Sequence, residues 1–110
     1  MATVKNLVID QGSHFSVTVV ITDSLETPLD LTGYTARSQL RKSYGSNTYT
    51  AITMVISSAL NGEITMSLTN TQTSALRSGR YVYDVEIISP GNIVTRVLEG
   101  IITVTPEVTR

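Results

Sequence analysis

Asp84 and Glu86 come nearest to catalytic chemistry in this chain, as two carboxylates at positions i and i+2. On an extended strand such a pair shares one face, about 7 Å apart, a separation at which some glycosidases set a general acid against a general base. That chemistry needs one carboxyl held protonated by burial. Both residues instead take the polar parity of a strand whose other parity is Tyr81, Tyr83, Val85 and Ile87. They therefore belong to an open sheet face, where nothing raises a carboxyl pKa. Arg37 and Arg41 lie on the polar parity of another strand, and pairing of the two strands would set them beside the carboxylates. The pattern reads as a cross-strand salt-bridge ladder, with Arg37 set against Asp84 and each exposed pair worth about 0.2–1 kcal/mol.

No other grouping rises to a reactive site. His14 is the one histidine, and it has no cysteine or second histidine to work with, so a structural or solvent-facing role is expected. Asp10, Asp23, Glu26 and Asp30 sit in turns and could meet around Ca²⁺ at one end of the molecule. Their spacing matches no loop motif such as the EF-hand pattern. No catalytic, cofactor-binding or metal-ligating residue is assigned. The expectation is a non-enzymatic chain without a cofactor or small-molecule substrate.

The elements that must position these side chains are strands. Phe15, Val17, Val19 and Ile21 share one parity, as do Ile64, Met66 and Leu68; a period of two marks strands with one buried and one solvated face. Seven strands are expected, at 4–10, 14–22, 34–41, 48–57, 63–68, 80–88 and 93–104. Asn61-Gly62 signals a hairpin with a type I′ turn, and Ser89-Pro90-Gly91-Asn92 a second tight hairpin. Thr69 and Gln72 have capping-box spacing, which predicts one helical turn near 70–76. Gly100 reads as a bulge or a close backbone approach. Seven short strands with regular turns argue for an all-β, immunoglobulin-like antiparallel sandwich, a single domain spanning 1–110. Tyr81, after Gly79-Arg80, fits the tyrosine corner of such folds, and Tyr83 takes the place a disulfide cysteine holds in antibody domains.

Turns and loops supply the remaining candidates. In Asp30-Leu31-Thr32-Gly33-Tyr34 the Asp30 carboxylate is expected to accept the amides of Thr32 and Gly33, with Gly33 supplying positive φ. The Arg41–Asn47 loop is polar with an aromatic tip and is expected to be mobile in the free protein, so Arg41, Lys42, Tyr44 and Asn47 are candidate protein contacts. The terminal segments 4–10 and 101–110 are expected at sheet edges. Beyond Pro106, Glu107 and Arg110 are expected to reach toward a neighbouring protein.

Composition narrows the partners. Eight basic and nine acidic residues give a net charge of −1, and the basic ones are scattered, so no clustered positive field favours nucleic acid. The N-terminus lacks a signal-peptide pattern, and no apolar run approaches a membrane span. A soluble chain with no membrane partner is expected.

Several stretches resemble a family of small tailed-bacteriophage virion proteins. They are Leu7-Val8-Ile9-Asp10-Gln11-Gly12, Asp30-Leu31-Thr32-Gly33-Tyr34-Thr35-Ala36-Arg37, Gly62-Glu63-Ile64-Thr65 and Leu68-Thr69-Asn70-Thr71-Gln72-Thr73. Gly79-Arg80-Tyr81-Val82-Tyr83-Asp84-Val85-Glu86, Arg96-Val97-Leu98-Glu99-Gly100 and Val104-Thr105-Pro106-Glu107-Val108-Thr109-Arg110 complete the set. The family is similar to the N-terminal immunoglobulin-like domain of phage upper-baseplate proteins. The resemblance implies a virion structural piece at the neck, tail or baseplate, or decorating the capsid. It would be made in the host cytoplasm and held by other virion proteins in several copies. Because the chain ends after this one domain, no host-recognition module is expected to follow. The rival reading is a carbohydrate-binding or adhesion module, for which Tyr44 and Tyr49 are the available aromatic platforms.

Overall fold

Alternation of apolar and polar residues commits nearly the whole chain to strands, and the computed structural model, which describes residues 3–22 and 27–108, contains eight. They are β1 (Thr3–Val4), β2 (Leu7–Asp10), β3 (Phe15–Val20), β4 (Thr35–Arg41), β5 (Thr50–Ser58), β6 (Glu63–Leu68), β7 (Gly79–Ile88) and β8 (Val94–Thr105), with α1 (Asn70–Ser74) between β6 and β7. The pairing order is β1-β8-β7-β4-β5-β6-β3, with β2 also on β8. β5 joins two layers. Thr50–Ile52 pair with β4, whereas Thr53 onward pairs with β6. Strand β5 thus leaves one sheet for the other, and the two inner faces close on a core that includes Ile9, Leu40, Ile64, Met66, Val85 and Ile102. The all-β sandwich read from the sequence is borne out.

On β4 the residues Ala36, Ser38 and Leu40 turn inward, opposite in parity to Arg37 and Arg41. Ser38 is a buried polar residue, and its hydroxyl donates to the Asp84 carbonyl at 2.5 Å, which satisfies it. The capping box is formed in both directions: the Gln72 amide donates to the Thr69 hydroxyl and the Thr69 amide to the Gln72 side chain. Tyr81 closes the tyrosine corner, its hydroxyl donating to the Arg77 carbonyl at 2.7 Å.

Three expectations need correction. The first strand is broken at Lys5-Asn6, and both pieces run parallel to β8, so the sandwich is not wholly antiparallel. That pairing places β8 between β7 and the N-terminal strands, so of the two terminal segments 101–105 is internal and the N-terminal one lies at an edge. The Asn61-Gly62 turn is not type I′, because Gly62 alone takes positive φ (68°) and the loop begins at Ser58, whose carbonyl accepts the Asn61 amide. Of the two readings of Gly100 the close backbone approach holds, since a Cβ there would run into the Lys5 carbonyl oxygen. The bulge of β8 lies elsewhere: the register shifts between Val85/Leu98 and Glu86/Arg96, leaving Val97 as the extra residue.

Candidate interaction site

The outward residues of β4, β7 and β8 form one charged sheet face. Register sets its rows: Arg37 lies opposite Glu86 and Glu86 opposite Arg96, while Gln39 lies opposite Asp84 and Asp84 opposite Glu99. The Arg37 guanidinium reaches Glu86 at 2.7 Å, Arg96 reaches Asp84 at 3.4 Å, and Arg96 also approaches Glu99 at 3.9 Å. The predicted ladder therefore exists with different partners. Arg37 pairs with Glu86 rather than Asp84, because in this register it stands directly across from Glu86.

Arg41 does not join the ladder. Its guanidinium donates to the Ser46 carbonyl at 2.5 Å and the Gln39 side chain at 3.0 Å, and lies 5.0 Å from the centre of the Tyr49 ring. It therefore ties down the 42–47 loop, in correction of the mobile loop expected, and its donors are turned to the protein's own chain. Ser46 adds an amide bond to the Ser43 carbonyl and hydroxyl contacts to Thr48. Lys42 lies over Tyr81, 4.8 Å from the ring centre. The loop so held carries Tyr44 at 81% exposure, beside an exposed Asn47.

Between the sheet face and this loop lies an open cleft of about 450 Å³, lined by Arg37, Asp84, Glu86, Arg96, Glu99 and Tyr44 among others. Burial in the cleft, and then the Glu86 carboxylate, raise the Asp84 carboxyl above its ordinary value; Arg96 and Arg37 pull the other way. This corrects the expectation that nothing on this face raises a carboxyl pKa. The loop overhang and the neighbouring rows take Asp84 partly out of water, which disfavours its charged form.

Sequence reasoning missed Arg96, Glu99 and Gln39. Glu99 was available from the outward parity of the last strand. Arg96 was hidden, because the bulge at Val97 shifts the parity that would have exposed it.

The remaining candidates lie elsewhere. Asp30 is exposed, and its carboxylate accepts from the Thr32 amide at 3.0 Å and the Thr32 hydroxyl at 2.6 Å. The Gly33 amide is not among its donors, in correction of the expected pair. These two bonds, the hydroxyl first, hold the Asp30 carboxyl below its ordinary value. Gly33 takes φ +80°, and a Cβ there would meet the Pro90 ring at 2.9 Å, so this turn packs on the β7–β8 hairpin. Glu107 does not reach outward: its amide donates to the Gln11 side chain at 3.0 Å and its own side chain lies against Gly12. Arg110 lies outside the described residues, as do Asp23 and Glu26. Among the described residues no group of His, Cys, Asp or Glu is arranged to hold a metal ion, and no helix is long and apolar enough to cross a membrane.

No family model matches the chain, and no curated protein matches it. Among solved structures it is similar to the Lin-41 filamin domain, with 15% identity, 89% of this chain and 82% of that chain covered, and a TM-score of 0.49. It is also similar to an internalin-like protein of Listeria monocytogenes, with 16% identity over 94% of this chain and a TM-score of 0.50. The chain spans 28% of that second protein's length. At such identities the likeness is one of fold. The strand order and the switch of β5 between layers describe an immunoglobulin-like β-sandwich.

Proposed function

We propose that this chain is a non-enzymatic structural component of a tailed-bacteriophage virion, acting by protein–protein contact from the β4–β7–β8 face and the Tyr44 loop. The observation that carries the contact is the pairing of an exposed aromatic with a rigid support. Tyr44 projects at 81% exposure from a loop that Arg41 fastens to the sheet. An aromatic anchor on a preorganised loop loses little entropy on docking and fills a partner's pocket well. The carboxylates of the cleft are each within 4 Å of an arginine, an arrangement suited to electrostatic matching with another protein. The virion assignment rests on the resemblance of the quoted segments, which run in order along the chain.

Mass-spectrometric inventory of purified phage particles tests the reading. The chain is expected in stoichiometric, multicopy amounts, and Tyr44→Ala is expected to reduce incorporation while leaving the thermal melt unchanged. Absence from particles would overturn it. The carbohydrate-binding alternative is favoured by one feature, Tyr44 standing beside a cleft with amide and carboxylate groups in its floor. Binding on a glycan array that Tyr44→Ala abolishes would establish that alternative instead.

A further inference from the structure

The edge of β3 that faces away from β6 has no partner strand among the described residues. The N-terminal strands pair with β8 in the other sheet and leave β3 uncovered. Ile21 donates to the Gly62 carbonyl at 2.8 Å, continuing the unbroken β3–β6 register. Successive residues of a strand turn their N–H and C=O to opposite sides. The odd-numbered residues of β3 therefore face β6, and Ser16, Thr18 and Val20 present theirs at the open edge.

Native edge strands are blunted by charge, proline, bulges or interruption. The other open edges here carry such devices: β5 has a register shift between Ile56 and Ser58, β4 bears Arg37, and the N-terminal edge breaks at Lys5-Asn6. Phe15–Val20 has no charge, no proline and no register shift.

We propose that this edge is a self-association site, at which a second copy of the chain adds its own β3 antiparallel across a two-fold axis at Thr18. Two demands select that register. Outward amides must meet outward amides, and exposed side chains must stay on the exposed face. Centring on Thr18 meets both and uses the whole edge, matching Thr18 to itself and Ser16 to Val20 of the second copy. The exposed face supports it. Thr18 and Thr65 share a hydroxyl contact at 3.1 Å, and Thr65 donates to Ser57 at 3.1 Å. This row of hydroxyls would continue across the axis, where Thr–Thr pairs are favourable. The edge is uncharged, so two copies meet there without like-charge repulsion. A contact this short is weak, and it becomes occupied where copies are held at high local concentration. The inference does not depend on the virion reading.

The chain has no cysteine, so single cysteines can report the geometry in the intact protein. Under mild oxidation Thr18→Cys is expected to form a covalent dimer about tenfold faster than Val55→Cys, an exposed site on the same sheet away from the axis, because pairing raises the local thiol concentration. Ser16→Cys and Val20→Cys should each cross-link poorly alone and readily when mixed. Thr18→Lys and Thr18→Glu should each sediment as monomers at concentrations where the parent chain dimerises, and their mixture should restore the dimer. Equal cross-linking at Thr18 and Val55, a parent chain that stays monomeric at every attainable concentration, or a dimer indifferent to Thr18→Lys would each overturn the proposal.

Discussion

The Tyr83 hydroxyl donates to the carbonyl of Lys5 at 2.6 Å, joining β7 to the break between β1 and β2 across 78 positions of the chain. Gly100 lies at the same point, with its missing side chain leaving room for that carbonyl. The Asn6 side chain accepts the Ile101 amide at 3.1 Å, and the Lys5 amide donates to the Glu99 carbonyl at 2.9 Å. One phenol, one glycine and one asparagine thus dock the N-terminal strands on β8.

Tyr83→Phe keeps the ring and removes the donor, so it is expected to cost about 1–3 kcal/mol through the unpaired Lys5 carbonyl. Amide exchange should rise in β1 and β2 before it rises in β6. Uniform exchange across the sheet would show that the phenol does not hold the N-terminal strands.

The same phenol carries a pH dependence. Burial pushes Tyr83 up to about 12 from an ordinary 10.0. The unfolded chain loses this proton near pH 10, while the folded chain keeps it until about 12. The contribution is therefore complete below pH 10 and is lost as pH rises from about 10 to about 12, at up to about 1.4 kcal/mol per unit. Urea melts at neutral pH and at pH about 11 should show Tyr83→Phe converging on the parent chain. A difference that stays constant with pH would contradict the assignment.

Gly100→Ala is expected to destabilise by about 1–3 kcal/mol through overpacking against Lys5. Its effect should be less than additive with Tyr83→Phe, because both act by releasing one carbonyl. Strict additivity in denaturant melts would mean that the two contacts are independent.

On the charged face, a double-mutant cycle on Arg37 and Glu86 should give about 0.2–1 kcal/mol of coupling, reduced by salt, as for other exposed pairs. The cycle on Arg37 and Asp84 should give less. Coupling of several kcal/mol at either pair would mean that the face is far drier than its exposure indicates.

Asp30→Ala removes an acceptor from exposed donors that water can satisfy, so the thermal midpoint should move little. Gly33→Ala should move it more, because it meets both a positive φ and the Pro90 ring. The reverse ranking would place the strength of this turn in the Asp30 carboxylate.

Local signals were sufficient for much of this molecule. Alternation in Phe15–Ile21 and Ile64–Leu68 specifies strand and buried face, because a period of two is a property of the extended backbone itself. Thr69 and Gln72 specify the helical turn, since a capping box closes within four residues. The tyrosine corner at Tyr81 is equally short in range. The parallel docking of β1 and β2 on β8 was not legible in the same way. It depends on Tyr83, Gly100 and Asn6, which are distant in sequence and whose types are ordinary for strands and turns. The pairing of Arg37 with Glu86 required the register, and the place of Arg96 in the cleft required the bulge at Val97. A two-residue shift, the distance between Asp84 and Glu86, exchanges every cross-strand neighbour while leaving each apolar residue on its buried face. The open edge at β3 is likewise a property of topology. Its residues read the same whether covered or free, and the tertiary fold alone sends the N-terminal strands to the other sheet.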